Sequence, residues 1–428
     1  MNLRRRIKAV QSFLGQRRDA LRFDGVRDPR QRRGRRWTAQ TLLSTALVTL
    51  MMLARSLRAA ERLSEDLVAG RRLKGLVRRV PDSTLGDFLA RVSPTPLRHH
   101  LHAQILAEHR RKALEPTVLP IRAIAVDGKN AATLDHAANR DCQKQSGAEG
   151  QAPHWLYRVV NATLISSAAA VCIDQQPIPA KTNDMGVFPS FFAGLMRTYG
   201  RANLFDVVTA DAGFCSERNA RIVDDAGKGY WISLKDNQPE LRREAERVLV
   251  AKSKRCEPEA QTDWESDSSR GWIRRQLWRT DEMAQWGKWT HLRQVVLVRV
   301  LARNGRDGVE RVLENRYYVT NLVRGRLHGR AMLDLVRAHW RIENDLHGAL
   351  DIQWQEDHGR WVQRGKGLPV TSLLRVLAYN LLSLMRAVHL RTIEARAATW
   401  DQLRNWVRDA MIWPDLVGAD VEALPATP

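Results

Sequence analysis

Between residues 121 and 252 short β-rich runs alternate with helical stretches, and this alternation leaves few folds open. IRAIAVDGK (121–129) is apolar until it breaks at Asp-Gly, which reads as a strand followed by a turn. WLYRVVNATLI (155–165) and AAAVCIDQQPI (168–178) are close enough to pair as a hairpin. FPSFFAGLMRTYG (188–200) reads as a helix and LFDVVTADAG (204–213) as a buried strand ending in Asp211. SERNARIVDDAGKG (216–229) is a helix capped by Ser216, GYWISLKDNQ (229–238) a strand, and PELRREAERVLVAK (239–252) a helix opened by proline. The order β, β-β, α, β, α, β, α predicts a mixed α/β sheet, with antiparallel strands first and βα units after.

The flanks have other patterns. From 37 to about 113 the chain reads as helical, with Pro81-Asp82-Ser83-Thr84 and Ser93-Pro94-Thr95-Pro96 as helix starts. Residues 259–320 hold tryptophans 264, 272, 278, 286 and 289 among alternating runs such as IRRQLWRT, LRQVVLVRV and ENRYYVTNL, an all-β pattern. Helical patterns return over 331–357, 373–390 and 400–412. The expected organisation is a basic arm and helical N-terminal domain (1–113), an α/β core (117–258), a β-rich insertion (259–320), a second part of the core (321–395), and a C-terminal helix and polar tail (396–428).

Charge narrows the partner. The net charge is +22 and the pI about 10.6, which favours a polyanion, nucleic acid being the commonest. Residues 1–36 carry 13 Lys or Arg against three Asp, densest in RDPRQRRGRR (27–36). Arg32, Arg33, Arg35 and Arg36 are therefore candidate phosphate contacts. The uncharged run Trp37–Ala54 is at the short edge of a membrane span, but it holds Gln40, Ser44 and four threonines and reads better as a core helix. No membrane association is expected. Cys142, Cys172, Cys215 and Cys256 form no CxxC pair, which fits a reducing cytoplasm and argues against a zinc ribbon or a disulfide framework.

Chemistry points to carboxylates. Asp127 and Asp211 each close a buried-type strand before a glycine-bearing turn, and such strand ends converge at one sheet edge where ligands bind. Within AMLDLVRAHWRIENDLHGALDIQWQED (331–357), Glu343 has His339 and His347 four residues to either side, hence on one helical face, with Met332, Leu335, Ile342, Leu346 and Ala349 as an apolar stripe beside it. Two strand-end aspartates and a helix glutamate suit hard divalent cations such as Mg²⁺, and a pair of ions ~3.5–4 Å apart activates a water or 3′-hydroxyl against a phosphodiester. A zinc-like His-Glu-His cluster competes with this reading, as does the use of Asp351, Glu356 or Asp357 in place of Glu343. Lys129, Lys235, Arg337 and Arg341 lie beside the motifs as candidate DNA contacts.

Asp, Asp and Glu in this order resemble the DDE transposases of bacterial insertion sequences, which carry an RNase H-like fold. AVDGK (125–129), KTNDM (181–185), VTADAGFC (208–215), SLKDNQPEL (233–241) and HWRIENDLHGALDIQWQED (339–357) resemble successive blocks of the H-repeat-associated branch. DPRQRRGRRW (28–37) and VPDSTLGDFLARV (80–92) resemble its N-terminal domain, so the likeness runs from about 21 to 390. It implies an RNase H-like mixed sheet with the β-rich segment as an insertion. It also implies Asp127, Asp211 and Glu343 as a triad for two Mg²⁺ ions, replaceable by Mn²⁺. Double-stranded DNA, both element ends and target, is the implied partner, bound by a homodimer or larger assembly. The Tyr-Arg-Glu-Lys spacing of the wider group is absent: His339 stands four before Glu343 and Leu350 seven after. A DNA-binding protein without chemistry, or a nuclease that cuts without joining, are the alternatives.

Overall fold

One mixed sheet runs through the protein, with helices packed on it. The computed structural model describes residues 3–413 apart from 34, 72, 148–151, 268–269, 306–307, 359–360 and 391. Most of GAEGQ (147–151) and the polar tail past 413 therefore lie outside the described residues.

Five helices come first: α1 (Leu3–Gln16), α2 (Ala39–Met51), α3 (Leu57–Gly70), α4 (Asp82–Leu89) and α5 (Pro94–Arg110). The sheet then begins with β1 (Ala123–Leu134), β2 (Cys142–Gln145), β3 (His154–Leu164) and β4 (Val171–Pro177). Helix α6 (Asp184–Tyr199), β5 (Val207–Ala210), α7 (Glu217–Asp225), β6 (Gly229–Leu234) and α8 (Pro239–Arg255) follow. Asn183 and Ser216 cap α6 and α7, accepting from Gly186 N and Asn219 N. Strands β7 (Ala260–Gln261), β8 (Glu265–Asp267), β9 (Gly271–Thr280), β10 (Gln294–Arg303) and β11 (Arg311–Thr320) complete the sheet.

The order is β2-β3-β1-β5-β6-β11-β10-β9-β7, with β4 on β3 and β8 on β9. β1 pairs antiparallel with β3, while β5 is parallel to both β1 and β6. This is the expected antiparallel start followed by βα units. The strands after 259 do not stand apart from it. β11 pairs antiparallel with β6, from Tyr317↔Leu234 to Thr320↔Trp231, so they extend the same sheet. Trp231 and Tyr318, on neighbouring strands, bring their rings to 5.2 Å, and Thr320 Oγ1 donates to Tyr230 O at 2.6 Å.

After the sheet come α9 (Gly329–His339), α10 (Gly348–Trp354), α11 (Gly367–Leu384), α12 (Ile393–Arg396) and α13 (Trp400–Ile412). α11 continues into a wider turn, Met385–His389, and Gly367–His389 is long and apolar enough to cross a membrane by length and composition; 94% of its apolar window is buried inside the protein. It packs against α2, where every residue except Gln40 is buried. α2 is thus the buried helix expected of the run 37–54, although the longer apolar helix of the chain is α11. Further buried ties bind the N-terminal helices to the rest. Gln11 donates to Ala410 O at 3.1 Å, and Arg98 on α5 meets Asp174 on β4 at 2.6 Å. The core is continuous from Ile7 to Met411.

Because Leu377 on α11 is fully buried, Leu377→Ala should cost about 2–5 kcal/mol in a urea melt. Ile352→Ala, at an exposed position, should stay within about 0.5 kcal/mol of the parent.

Candidate active site

Parallel pairing of β1 with β5 runs to Val126↔Ala210 and stops. Asp127 and Asp211 are the next residue on each strand, so the register alone places two carboxylates side by side, about one strand spacing (~4.8 Å) apart along the backbone. On β5 the chain leaves the sheet at once, with Asp211 in extended conformation before a short 3₁₀ turn at Ala212–Phe214. On β1 it does not. The turn expected after Asp127 is absent, because β3 keeps pairing on the other side, from Asp127↔Asn161 to Leu134↔Trp155. Gly128 serves close approach instead: a Cβ there would lie 2.1 Å from Asp184 Oδ1, whose carboxylate Arg158 holds at 2.8 Å.

Glu343 does not lie on a continuous helix 331–357. α9 ends at His339, a π-helical turn spans Ile342–His347 with Gly348 N–H donating to Glu343 O, and α10 stops at Trp354 before Gln355 at φ +50°. The apolar stripe is buried as expected: Met332, Leu335, Ile342, Leu346 and Ala349 all face the core. The wide turn breaks the four-residue periodicity of 339, 343 and 347. Each histidine approaches a different aspartate, which argues against the His-Glu-His zinc reading. His339 Nε2 is 3.0 Å from Asp211 Oδ1, and its Nδ1 is 2.8 Å from Thr209 Oγ1. His347 Nε2 is 3.1 Å from the Asn161 amide nitrogen, which can only donate, so the imidazole proton falls on Nδ1, 3.6 Å from Asp127 Oδ2.

These surroundings set the charges. Burial pushes the Asp127 carboxyl up to about 7, Asp211 adds to the rise, and His339 and the Gly128 N–H oppose it. Asp211 moves down, chiefly through its hydrogen bond to His339 and against burial, with help from His339, Lys235 and Arg316 charges. Glu343 moves up through burial and the neighbouring Asp211, and its side chain has no hydrogen bond or ion pair among the described residues. Burial, then Lys129, pushes His347 down to about 3, so it is neutral in ordinary buffers.

The candidate DNA contacts divide. Lys235 is exposed in a cleft it shares with Asp211, His339, Arg316 and Trp340. Arg337 is half-exposed and pairs with Glu265 at 2.6 Å. Arg32, Arg33, Arg35 and Arg36 are exposed, though Arg35 folds back on Gln31 O and Asp28. Two assignments need correction. Lys129 is buried, its ammonium 2.5 Å from Asp351 and 3.3 Å from Glu356, and it has no surface to offer DNA. Those pairings also take Asp351 and Glu356 out of contention for the role of Glu343. Arg341 is a structural clamp, donating to Ile165 O, Ser167 O and Ala168 O and to Asp345. Asn161 and Thr209, which orient the two histidines, carry no local sequence signal; only strand register brings them to the site.

Among the described residues no three His, Cys, Asp or Glu side chains already converge as a complete metal-ligand set. The donor chemistry nevertheless fits a hard divalent cation: oxygen donors, mutual repulsion, and a glutamate with no hydrogen-bond or ion-pair partner among the described residues.

The family described as Transposase DDE domain matches residues 119–381, which include both aspartates, Glu343 and the sheet between them, and this chain belongs to that family. YncI of Escherichia coli O157:H7, provisionally named a transposase, is 24% identical over 267 residues, 60% of this chain and 61% of that protein. YhhI of Escherichia coli K12, provisionally named an H repeat-associated transposase, is 25% identical over 266 residues, 61% of this chain and 64% of that protein. YbfL of the same strain matches to the same extent. One of these relatives is named for the H-repeat branch, and the chain matches less than two thirds of the length of all three.

An aspartate with a raised pKa binds its proton more tightly folded than unfolded. Its contribution is complete below about 3.8 and is lost as pH climbs through about 7. Without divalent cations, Asp127→Asn should therefore melt progressively higher than the parent between pH 5 and 8, and the two should converge near pH 4. Parallel thermal melts across that range check it.

Proposed function

We propose that this protein is an insertion-sequence DNA transposase acting through Asp127, Asp211 and Glu343. The observation that carries the reading is the shared register end of β1 and β5, which sets two carboxylates together at the edge Glu343 approaches. Family membership supports DNA as the partner and a divalent cation as the cofactor. The three carboxylates would hold two Mg²⁺ ions, with Mn²⁺ able to substitute. Bound there, the ions would supply the charge that activates a water to nick an element end, then the freed 3′-hydroxyl to join target DNA.

The chain's own residues have distinct tasks. Asp127 and Asp211 must both be ionised to hold a cation. His339 favours the ionised form of Asp211 and fixes its rotamer through Thr209. His347, neutral, turns an N–H toward Asp127 while Asn161 holds the ring. Lys235, at the mouth of the adjoining cleft, and Arg337 are placed to meet phosphates, with Arg32, Arg33 and Arg36 as a further sequence-independent grip. The protein would work as a homodimer or larger assembly on DNA.

Asp127→Asn should retain binding to element ends in a mobility-shift assay and lose Mg²⁺-dependent strand cleavage to background. Cleavage by this variant at the parent rate would refute the triad. On a plasmid carrying the ends, a joined product separates transposition from simple nuclease action.

A further inference from the structure

Lys129 lies two residues beyond Asp127 on β1, with its side chain 4% exposed. Besides Asp351 and Glu356, its Nζ donates to Asn130 O at 3.0 Å. Asp351 is on α10, the helix that continues directly from the wide turn bearing Glu343. Glu356 follows in a 3₁₀ turn, fully buried, where it accepts from Ser372 Oγ at 2.9 Å and faces Arg375 of α11 at 3.6 Å. An ammonium and a guanidinium thus balance the buried carboxylate of Glu356 and the part-exposed one of Asp351, joining β1, α10 and α11. Among the described residues, the ion pairs between β1 and the segment 342–358 are the two made by Lys129 and the 3.6 Å approach of His347 to Asp127.

Burial makes this tie stiff. At the surface a broken ion pair is replaced by water, but Glu356 has no such fallback, so the cluster resists any shift of α10 along β1. Asp127 and Glu343 ride on the two elements it joins. We propose that Lys129 is a positioning residue that fixes the strand of Asp127 against the helix of Glu343, so that the carboxylates hold a divalent cation in common. The sequence position of Lys129, beside Asp-Gly, reflects that tie and not a phosphate contact. The inference rests on the carboxylate reading above, and the experiment separates the two.

The test is Mn²⁺ affinity of the full chain, read from the EPR signal of free Mn²⁺, together with the melting temperature. Lys129→Met should weaken Mn²⁺ binding about tenfold or more, since supporting partners of metal ligands typically matter at that level. Lys129→Arg, a cation reaching the same carboxylates, should recover most of it. Asp351 is 41% exposed, so Asp351→Asn is the milder variant that answers the question if Lys129→Met does not fold; it should lose affinity in the same direction. Glu108→Gln is the control for stability alone. It breaks the buried Arg17–Glu108 pair among the N-terminal helices and should lower the melting temperature while leaving Mn²⁺ affinity unchanged. Parent-like affinity in folded Lys129→Met, or in Asp351→Asn where the first does not fold, overturns the proposal. If Asp127→Asn loses Mn²⁺ in that same case, the carboxylate reading survives. Parent-like affinity in Asp127→Asn overturns that reading itself.

Discussion

Like charges held at one sheet edge are the constraint around which this protein is arranged. Asp127, Asp211 and Glu343 raise one another's cost of ionisation, and burial adds to it. The compensation is distributed. His339 and Lys235 act on Asp211, and His339 and the Gly128 N–H act on Asp127. What is left uncompensated is largest at Asp127, where burial and Asp211 push the carboxyl up to about 7.

The fold around that edge follows from the same demand. Two carboxylates need a rigid backing, and β1 and β5 supply it as neighbouring parallel strands, with the four residues of β5 all buried. The glutamate needs to reach the edge from outside the sheet, and a π-helical turn provides a local departure from regular helix there. The charge cluster of Lys129, Asp351, Glu356 and Arg375, buried except at Asp351, then joins β1 to the helices on either side of the 3₁₀ turn of Glu356.

Much of this is legible in the order of the amino acids. Alternating β-rich and helical runs point to the mixed sheet with parallel units, and the aspartates of Asp-Gly and Asp-Ala-Gly mark two corners of the candidate site. Local pattern misleads where one motif has two physical uses. Asp127-Gly128 has the composition of a turn, yet pairing with β3 keeps Gly128 in the strand, and Asp184 occupies the space a side chain there would need. Glu343 with a histidine four residues to each side has the spacing of a helical face, yet one wide turn removes the register. Lys129 and Arg341 are basic residues of a kind that usually meets solvent, and only the packed structure shows that their charges are consumed internally. The antiparallel join of β11 to β6 is hidden for another reason: strand order is a long-range property, and residues 231 and 320 share no local pattern.

The indole N–H of Trp354 donates to Leu50 O at 2.9 Å, and that of Trp361 to Ala54 O at 3.2 Å. Leu50, in the last turn of α2, and Ala54, just beyond it, thus each accept from the segment that follows Glu343. Removing the N-terminal helices would strand those two indole donors and bare the apolar face of α11. The end that carries the basic arm and the end that carries the glutamate thus share buried hydrogen bonds as well as a core.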